Sequence, residues 1–370
     1  MFSPLDRQMM QRALDLAARG RYTTHPNPRV GCVIARGEQI VGEAWHRKAG
    51  EAHAEPLALE AAGDWARDAT VYVTLEPHGF HGKTPPCTDA LIRAGVRRVV
   101  CGTLDFHPKV RGDGVRQLKA AGIDVEVGLL EEQARALNAG FEKRVTIGIP
   151  RVVVKIGSSL DGRVALASGE SRWITGAAAR TDVQRLRAES SAVLTGIGTV
   201  LADDPQLTVR EPTIDMMERQ PLRVVLDSTL RMPPGAKMLG ESGQTLILAT
   251  NPGSSQAALE SKGATVRTMA AAADGMMDLH AVLELLGSLE CNDVLVEAGP
   301  RLAGRFVQDG LLDELIVYSA PVLLGPDARA MLQLPPLARL ADRLQFELLA
   351  TERIDDDLKL VLRPRKAPVP

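Results

Sequence analysis

At 370 residues the chain is too long for one ordinary hydrophobic core, so two domains are expected. Hydrophobic residues at 45% and charged residues at 24% suit a globular protein, and 3% aromatics leave few rings for stacking single-stranded bases. The formal charge of −2 splits into +2 over residues 1–148 (20 Lys and Arg against 18 Asp and Glu) and −4 over the remainder, so neither half has the basic excess that binding a polyanion needs.

A small-molecule substrate is therefore expected, with no nucleic acid and no membrane. No apolar run approaches the roughly 20 residues that span a bilayer. Asp6, Arg7, Arg12, Asp15 and Arg19 are spread through the first twenty residues, unlike a signal peptide. Four scattered cysteines (Cys32, Cys87, Cys101, Cys291) fit a reducing, cytoplasmic compartment.

Ser3-Pro4-Leu5-Asp6 reads as a helix start, and the helix is expected to run to Arg19 and stop at Gly20. Strands are then predicted at Val30–Ala35, Ile40–Ala44, Thr70–Leu75, Arg98–Gly102 and Ile123–Val127, with helices at Ala54–Ala62, Thr88–Ala94 and Gly114–Ala121. Such alternation implies an α/β sheet with helices on its faces. Around Ile147–Pro150 the pattern ends, and Arg151–Ile156 begins a second sheet. Its further strands are predicted at Ala192–Thr195, Arg223–Leu226, Thr245–Ala249, Asp293–Glu297 and Glu314–Ser319, with Phe346–Thr351 and Leu358–Leu362 as a closing hairpin. The proline-rich basic tail from Arg363 to Pro370 is expected to be disordered.

His53-Ala54-Glu55 opens a predicted helix, Glu76-Pro77-His78 follows a predicted strand, and Cys87 comes nine residues after His78. Hydrolytic deamination of an aromatic amine needs a strong nucleophile at neutral pH. Zinc supplies one by lowering the pKa of a bound water toward about 7, using three protein ligands and one open position. A carboxylate off the metal must then carry protons, and His-x-Glu spacing puts ligand and carboxylate at one helix start. A lone His is more often structural and Pro-Pro-Cys is mostly a turn, but in this order, separated by a strand, the pieces are specific. His46 and His107 have no partner at metal-ligand spacing and are expected in surface or loop roles.

These elements, together with His25-Pro26-Asn27-Pro28-Arg29-Val30-Gly31-Cys32-Val33-Ile34, Thr74-Leu75-Glu76-Pro77 and His81-Gly82-Lys83-Thr84-Pro85-Pro86-Cys87, closely resemble the deaminase domain of the bifunctional riboflavin-biosynthesis deaminase–reductases. The resemblance implies a cytidine-deaminase-like three-layer α/β domain over residues 1–147. It makes His53 and Cys87 zinc ligands and Glu55 the catalytic proton shuttle, and it places Asn27 near the substrate ring. That family usually has cysteine after Glu-Pro, where this chain has His78. Imidazole is a competent ligand, and exchanging a thiolate for it leaves the metal one charge more positive. The expectation is one zinc on His53, His78 and Cys87. The alternative is a weakened or empty site, with His78 or His81 packing in the loop.

The second half lacks Gly-x-Gly-x-x-Gly after its first strand, which argues against an ordinary Rossmann domain. It carries three polar islands at strand ends instead. They are Lys155–Arg163 continuing to Ser171–Gly176, Leu194–Pro205 ending in Leu207–Arg210, and Val296–Gly304, a strand that runs into a glycine-bounded helix start. All three resemble the reductase half of the same family, as do Asp313–Tyr318 and Leu323–Gly325. The resemblance implies a dihydrofolate-reductase-like domain over 148–370 that uses NADPH. By motif position Gly157, Trp173, Thr199, Asp203, Ser228 and Gly299, Pro300, Arg301, Leu302, Ala303, Gly304 and Arg305 correspond to the cofactor site. Ser171, Arg187, Leu207, Arg210 and Glu297 correspond to the substrate site, and two arginines with a serine hydroxyl suit a ribose 5-phosphate. Lys155 is a further candidate proton or hydrogen-bond donor. Without the resemblance, Arg187 reads as a solvated helix-face residue, Trp173 as core, and Asp161 and Asp204 as turn formers.

The implied sequence of reactions is hydrolysis of the 2-amino group of 2,5-diamino-6-ribosylamino-4(3H)-pyrimidinone 5′-phosphate, then NADPH-dependent reduction of the ribose to a ribityl chain. A homo-oligomer, dimeric or larger, is expected from the same resemblance. Two rivals remain at this level: a reductase with a degenerate deaminase domain, and a nucleic-acid-editing deaminase fused to an unrelated appendage.

Overall fold

Two units make up the chain, Met1–Ile149 and Pro150–Pro370, in a computed structural model that describes residues 1–81, 85–108, 110–251, 253–272 and 275–365. Gly82, Lys83 and Thr84 of the quoted motif, and tail residues 366–370, lie outside the described residues.

The first unit runs α1 (Pro4–Ala18), β1 (Gly31–Arg36), β2 (Gln39–Trp45), α2 (Ala54–Ala62), β3 (Thr70–Leu75), α3 (Cys87–Ala94), β4 (Arg98–Thr103), α4 (Asp113–Ala120), β5 (Asp124–Val127), α5 (Glu131–Leu137) and α6 (Ala139–Ile147). Its sheet has the order β2-β1-β3-β4-β5, with β1 antiparallel to both neighbours and β3, β4 and β5 parallel. Alternation along the strands makes three layers. Cys32, Ile34, Val71 and Val73 pack under α2, α3 and α4, while Val33, Ala35, Tyr72 and Val100 pack under α1 and α5. Gly31 is what lets α1 lie on the sheet, because a Cβ there would meet the Ala13 carbonyl at 2.0 Å. Ser3 and Asp6 form the capping box expected at the helix start, and Asp6 also accepts from Tyr72 Oη at 2.8 Å and Arg98 Nη1 at 2.7 Å. That one carboxylate ties α1 to two strands.

The second unit runs β6 (Arg151–Ser159), β7 (Arg163–Ala165), α7 (Ala177–Glu189), β8 (Ala192–Gly196), α8 (Ile197–Asp203), β9 (Leu222–Leu226), β10 (Thr245–Ala249), α9 (Gln256–Glu260), β11 (Ala264–Thr268), α10 (Leu279–Ser288), β12 (Asp293–Val296), α11 (Pro300–Gln308), β13 (Glu314–Ala320), β14 (Arg329–Ala330), β15 (Phe346–Ile354) and β16 (Asp357–Pro364). Among the described residues nine strands form one sheet, β11-β10-β9-β8-β12-β6-β13-β16-β15. It is parallel from β11 through β13, and β16 runs antiparallel to β13 and β15. The central strands are mostly apolar and mostly buried, as strands covered on both faces are. Arg363 and Pro364 belong to β16, a correction to the reading of the tail as disordered from Arg363 onward: cross-strand pairing with Glu347 and Phe346 holds them.

Candidate active sites

In the first unit, His53 is the N-cap of α2, Cys87 is the first residue of α3, and His78 sits in the loop after β3. Their ligand atoms all lie within 4.8 Å of one another. Cys87 Sγ is 3.6 Å from His53 Nδ1, close to the roughly 3.5 Å edge of a tetrahedron with bonds of about 2.0–2.3 Å. Two imidazoles and a thiol in this arrangement fit zinc.

Burial, helped by the nearby His78 and His46 rings, pushes the His53 imidazole down to about 4, so its lone pair is available at neutral pH. Burial also drives the Cys87 thiol well up, which a neighbouring cation would reverse. Glu55 lies in the first turn of α2, 3% exposed and within hydrogen-bond reach of Cys87. Burial raises its carboxyl to about 6, against opposition from its own N–H and from Cys87.

The loop that carries His78 is wired to its surroundings by residues to which the sequence reading gave no role of their own. Glu76 is buried, and its carboxylate accepts from three backbone N–H groups, those of Asp105, Gly112 and Val115, at 2.9, 2.9 and 3.0 Å. Gly114 packs on the same turn, since a Cβ there would meet the Pro77 carbonyl at 1.9 Å. Gln117 joins both ligand segments, accepting from Thr88 Oγ1 at 2.9 Å and donating to the Gly79 carbonyl at 2.8 Å.

His46 corrects an expectation. It lies in the loop after β2, as expected, but is buried at 2% exposure rather than on the surface, and its ring lies 5.3 Å from that of His53. Its Nε2 is 3.0 Å from Asn27 Nδ2 and its Nδ1 is 3.1 Å from the Ala52 carbonyl. Sequence spacing does not show this, because β2 and the following loop bring His46 back beside the helix that begins at His53. Asn27 thereby lies beside the histidine cluster.

In the second unit, Glu297 follows β12 and is buried. Arg187, near the end of α7, grips it with Nε at 2.5 Å and Nη2 at 3.0 Å, and Lys155 Nζ is 3.1 Å away. Burial alone would raise this carboxyl, but Arg187 and then Lys155 hold it down to about 2. Arg187 is thus no solvated face residue. Its Nη1 also donates to the Thr208 carbonyl at 3.1 Å, and Arg210 Nη1 donates to Thr208 Oγ1 at 2.9 Å. Leu207 is buried beside them. Arg187, Leu207, Arg210, Glu297 and Lys155 therefore converge.

Among the other reductase candidates, Trp173 is 70% exposed rather than core, with the Arg180 guanidinium 4.3 Å from its ring centre. Arg172 donates to the Asp203 carbonyl, which brings the Ser171–Trp173 segment beside α8, where Thr199 also lies. A Cβ on Gly157 would meet Thr175 Cγ2 at 3.3 Å. Gly299 caps α11, with Pro300, Arg301 and Leu302 in its first turn. Ala303 and Gly304 are buried in the helix body, and a Cβ on Gly304 would strike the Gln333 carbonyl at 2.2 Å. Arg305 is a turn further on and pairs with Asp309 at 3.1 Å. Ser228 follows β9, its carbonyl accepting from Thr250 and Asn251. Asp161 and Asp204 are turn formers: Asp161 accepts from Ser159, Leu324 and Gly325, and Asp204 ends α8 with φ of 43°.

Comparison with known proteins finds a family for each unit. Residues 3–103 match the cytidine and deoxycytidylate deaminase zinc-binding region, and residues 150–360 match the RibD C-terminal domain. The riboflavin biosynthesis protein RibD of Escherichia coli (strain K12) is 50% identical over 96% of this chain and 99% of its own length. That of Haemophilus influenzae is 45% identical, over 98% and 99%. Acinetobacter baumannii RibD (form 1) superposes with a TM-score of 0.92 at 46% identity, covering 98% of this chain and 99% of that one. A Thermotoga maritima structure described as a diaminohydroxyphosphoribosylaminopyrimidine deaminase/5-amino-6-(5-phosphoribosylamino)uracil reductase gives 0.83 at 32% identity, with the same coverages. The fold is thus a cytidine-deaminase-like domain followed by a dihydrofolate-reductase-like one, and the chain belongs to the RibD family of bifunctional riboflavin-biosynthesis deaminase–reductases.

Proposed function

We propose that the first unit hydrolyses the 2-amino group of 2,5-diamino-6-ribosylamino-4(3H)-pyrimidinone 5′-phosphate at a His53/His78/Cys87 zinc site, and that the second reduces the ribose of the product with NADPH. The carrying observation is the convergence of His53, His78 and Cys87 within 4.8 Å, with Glu55 buried beside them. Zinc, when bound there, supplies Lewis acidity that makes a water nucleophilic near neutral pH. Glu55 carries the attacking water's two protons in turn, the first to the ring nitrogen and the second to the amino group that departs as ammonia. Asn27, oriented by His46, presents its amide to the pyrimidine. His78 takes the place of a thiolate and makes the site more cationic, not unfit.

For reduction, NADPH supplies the hydride, and the protein's part is placement. The first turn of α11 receives the pyrophosphate, and Gly157, Trp173, Thr199, Asp203 and Ser228 line the remainder. Arg187 commits both Nε and Nη2 to Glu297, so phosphate binding falls mainly to Arg210 and Ser171. Glu297, oriented by Arg187 and Lys155, keeps an oxygen edge for the sugar. The domain boundary is read at 147/148, where α6 ends, and the contacts divide between Ile149 and Pro150.

Metal analysis of the purified chain tests the first site. One zinc per chain in wild type and none in His78→Ala is the expected result. Zinc-free, inactive wild type rescued by His78→Cys would instead mean a reductase with a degenerate deaminase domain.

We further infer a cytoplasmic homo-oligomer. No helix among the described residues is long and apolar enough to cross a membrane. Leu334, Leu337, Leu340, Leu344, Leu348 and Leu349 are each at least 37% exposed, and β15 is an edge strand. Residues 339–365 carry six basic and six acidic side chains, a balance that suits a self-complementary twofold contact. Leu348→Asp with Leu340→Asp should shift sedimentation from dimer to monomer. A wild type that sediments as a monomer at micromolar concentration would overturn this.

A further inference from the structure

The proposed cofactor and substrate residues of segment 171–176 and of α7 are held by a strand that carries none of them. Asp357, the first residue of β16, is 4% exposed, and its Oδ2 accepts from the N–H of Gly176, the N-cap of α7, at 2.7 Å. A Cβ on Gly176 would already lie 3.4 Å from that oxygen, so a larger residue would crowd the contact. Two residues along β16, Lys359 Nζ donates to Asp182 Oδ2 at 2.6 Å. Tyr318, the cross-strand neighbour of Lys359 on β13, donates to the same oxygen at 2.7 Å. β16 therefore fixes α7 at its cap and again in its second turn.

Upstream of the cap, Thr175 packs against Gly157, and its carbonyl accepts from Arg180 at 2.7 Å. Arg180 in turn lies over Trp173. Because Trp173 is largely exposed, its place depends on the backbone that carries it more than on a packed pocket.

We propose that Asp357 is a positioning residue for NADPH: by holding the Gly176 N–H it fixes segment 171–176, and with it Ser171 and Trp173, against Gly157. The inference rests on the reading of that segment as part of the cofactor site. Without the anchor the segment samples other arrangements, and apparent affinity falls in proportion to the competent fraction.

The test titrates NADPH against the full-length chain, following nucleotide fluorescence, with steady-state reduction in parallel. Asp357→Ala should raise the NADPH Kd and KM about tenfold while kcat at saturating NADPH stays within about twofold. Asp357→Asn keeps an acceptor facing Gly176 and should recover affinity to within about threefold of wild type. Should the alanine variant fail to fold, Asp357→Ser takes its place, its hydroxyl stopping short of the N–H. Unchanged NADPH affinity in a folded Ala or Ser variant overturns the proposal, as does an Asn variant as weak as Ala. Trp173→Ala is run alongside. If it binds NADPH as wild type does, the cofactor reading of the segment falls, and the proposal with it.

Discussion

Glu55→Gln should leave zinc content, folding and reductase turnover unchanged while ammonia release falls by about 10²–10⁴-fold. Glutamine keeps the volume and the hydrogen-bonding reach of the side chain but cannot take a proton. Because Glu55 is buried at 3% exposure and burial disfavours its charge, removing that charge costs the fold little. The proposed metal donors are His53, His78 and Cys87, not Glu55, so zinc content should be unchanged. The decisive comparison is made on one preparation: ammonia from the diaminopyrimidine nucleotide, NADPH oxidation with the deaminated nucleotide, and zinc by elemental analysis. Ammonia release near the wild-type rate would remove Glu55 from the chemistry. Loss of zinc in the same variant would show Glu55 acting on the metal rather than on protons.

Much of this was legible before the structure, for identifiable reasons. Ala54–Ala62, Thr70–Leu75 and Thr245–Ala249 fall where they were predicted, residue for residue. Each pairs a strong local pattern with a sharp end, such as Gly63 after α2. Most other predicted strands differ by one residue at one or both ends, as Gly31–Arg36 does from Val30–Ala35, but Arg151–Ser159 and Phe346–Ile354 each run three residues past the expected Arg151–Ile156 and Phe346–Thr351. Helix α1 stops at Ala18, one residue short of the expected Arg19. Two of the elements passed over have weak local signals. α5 begins after Leu130 and α6 after Asn138, neither with a side-chain cap, and Glu131-Glu132-Gln133 carries no apolar stripe. α10 did carry a signal, Asp278 capping a run rich in leucine, and could have been found.

The sites divide in the same way. His53, Glu55, His78 and Cys87 sit at helix starts or on one loop, so short motifs record them. His46 and Glu76 act through contacts made by tertiary folding: His46 by returning beside His53, and Glu76 by collecting three N–H groups from residues 105–115. Arg187 is similar. On α7 alone it reads as a surface residue, and only the placement of β12 beside β6 and β8 supplies the buried carboxylate it grips. Partners that distant in sequence leave no spacing to read.

Glu297→Gln should cost the second unit about 3 kcal/mol at pH 7, because it leaves Arg187 and Lys155, side chains only 11% and 20% exposed, facing each other without a countercharge. The pH dependence separates charge from packing. Burial alone would raise the Glu297 carboxyl, but Arg187 first and Lys155 next hold it at about 2, below the roughly 4.3 of an unfolded glutamate. A depressed folded value means the trio's contribution is complete above about pH 4.3 and is lost as pH falls toward 2. The glutamine has no such titration. The gap in stability between wild type and variant should therefore stay constant from pH 7 to 5 and shrink between about pH 4 and 2. Urea denaturation with amide exchange on β6 and β12 as the probe measures it at pH 7, 5 and 3. A gap equally large at pH 7 and at pH 3 would assign the loss to packing. A variant as stable as wild type at pH 7 would mean that the two cations find other partners, and that the carboxylate is held for the substrate's sake alone.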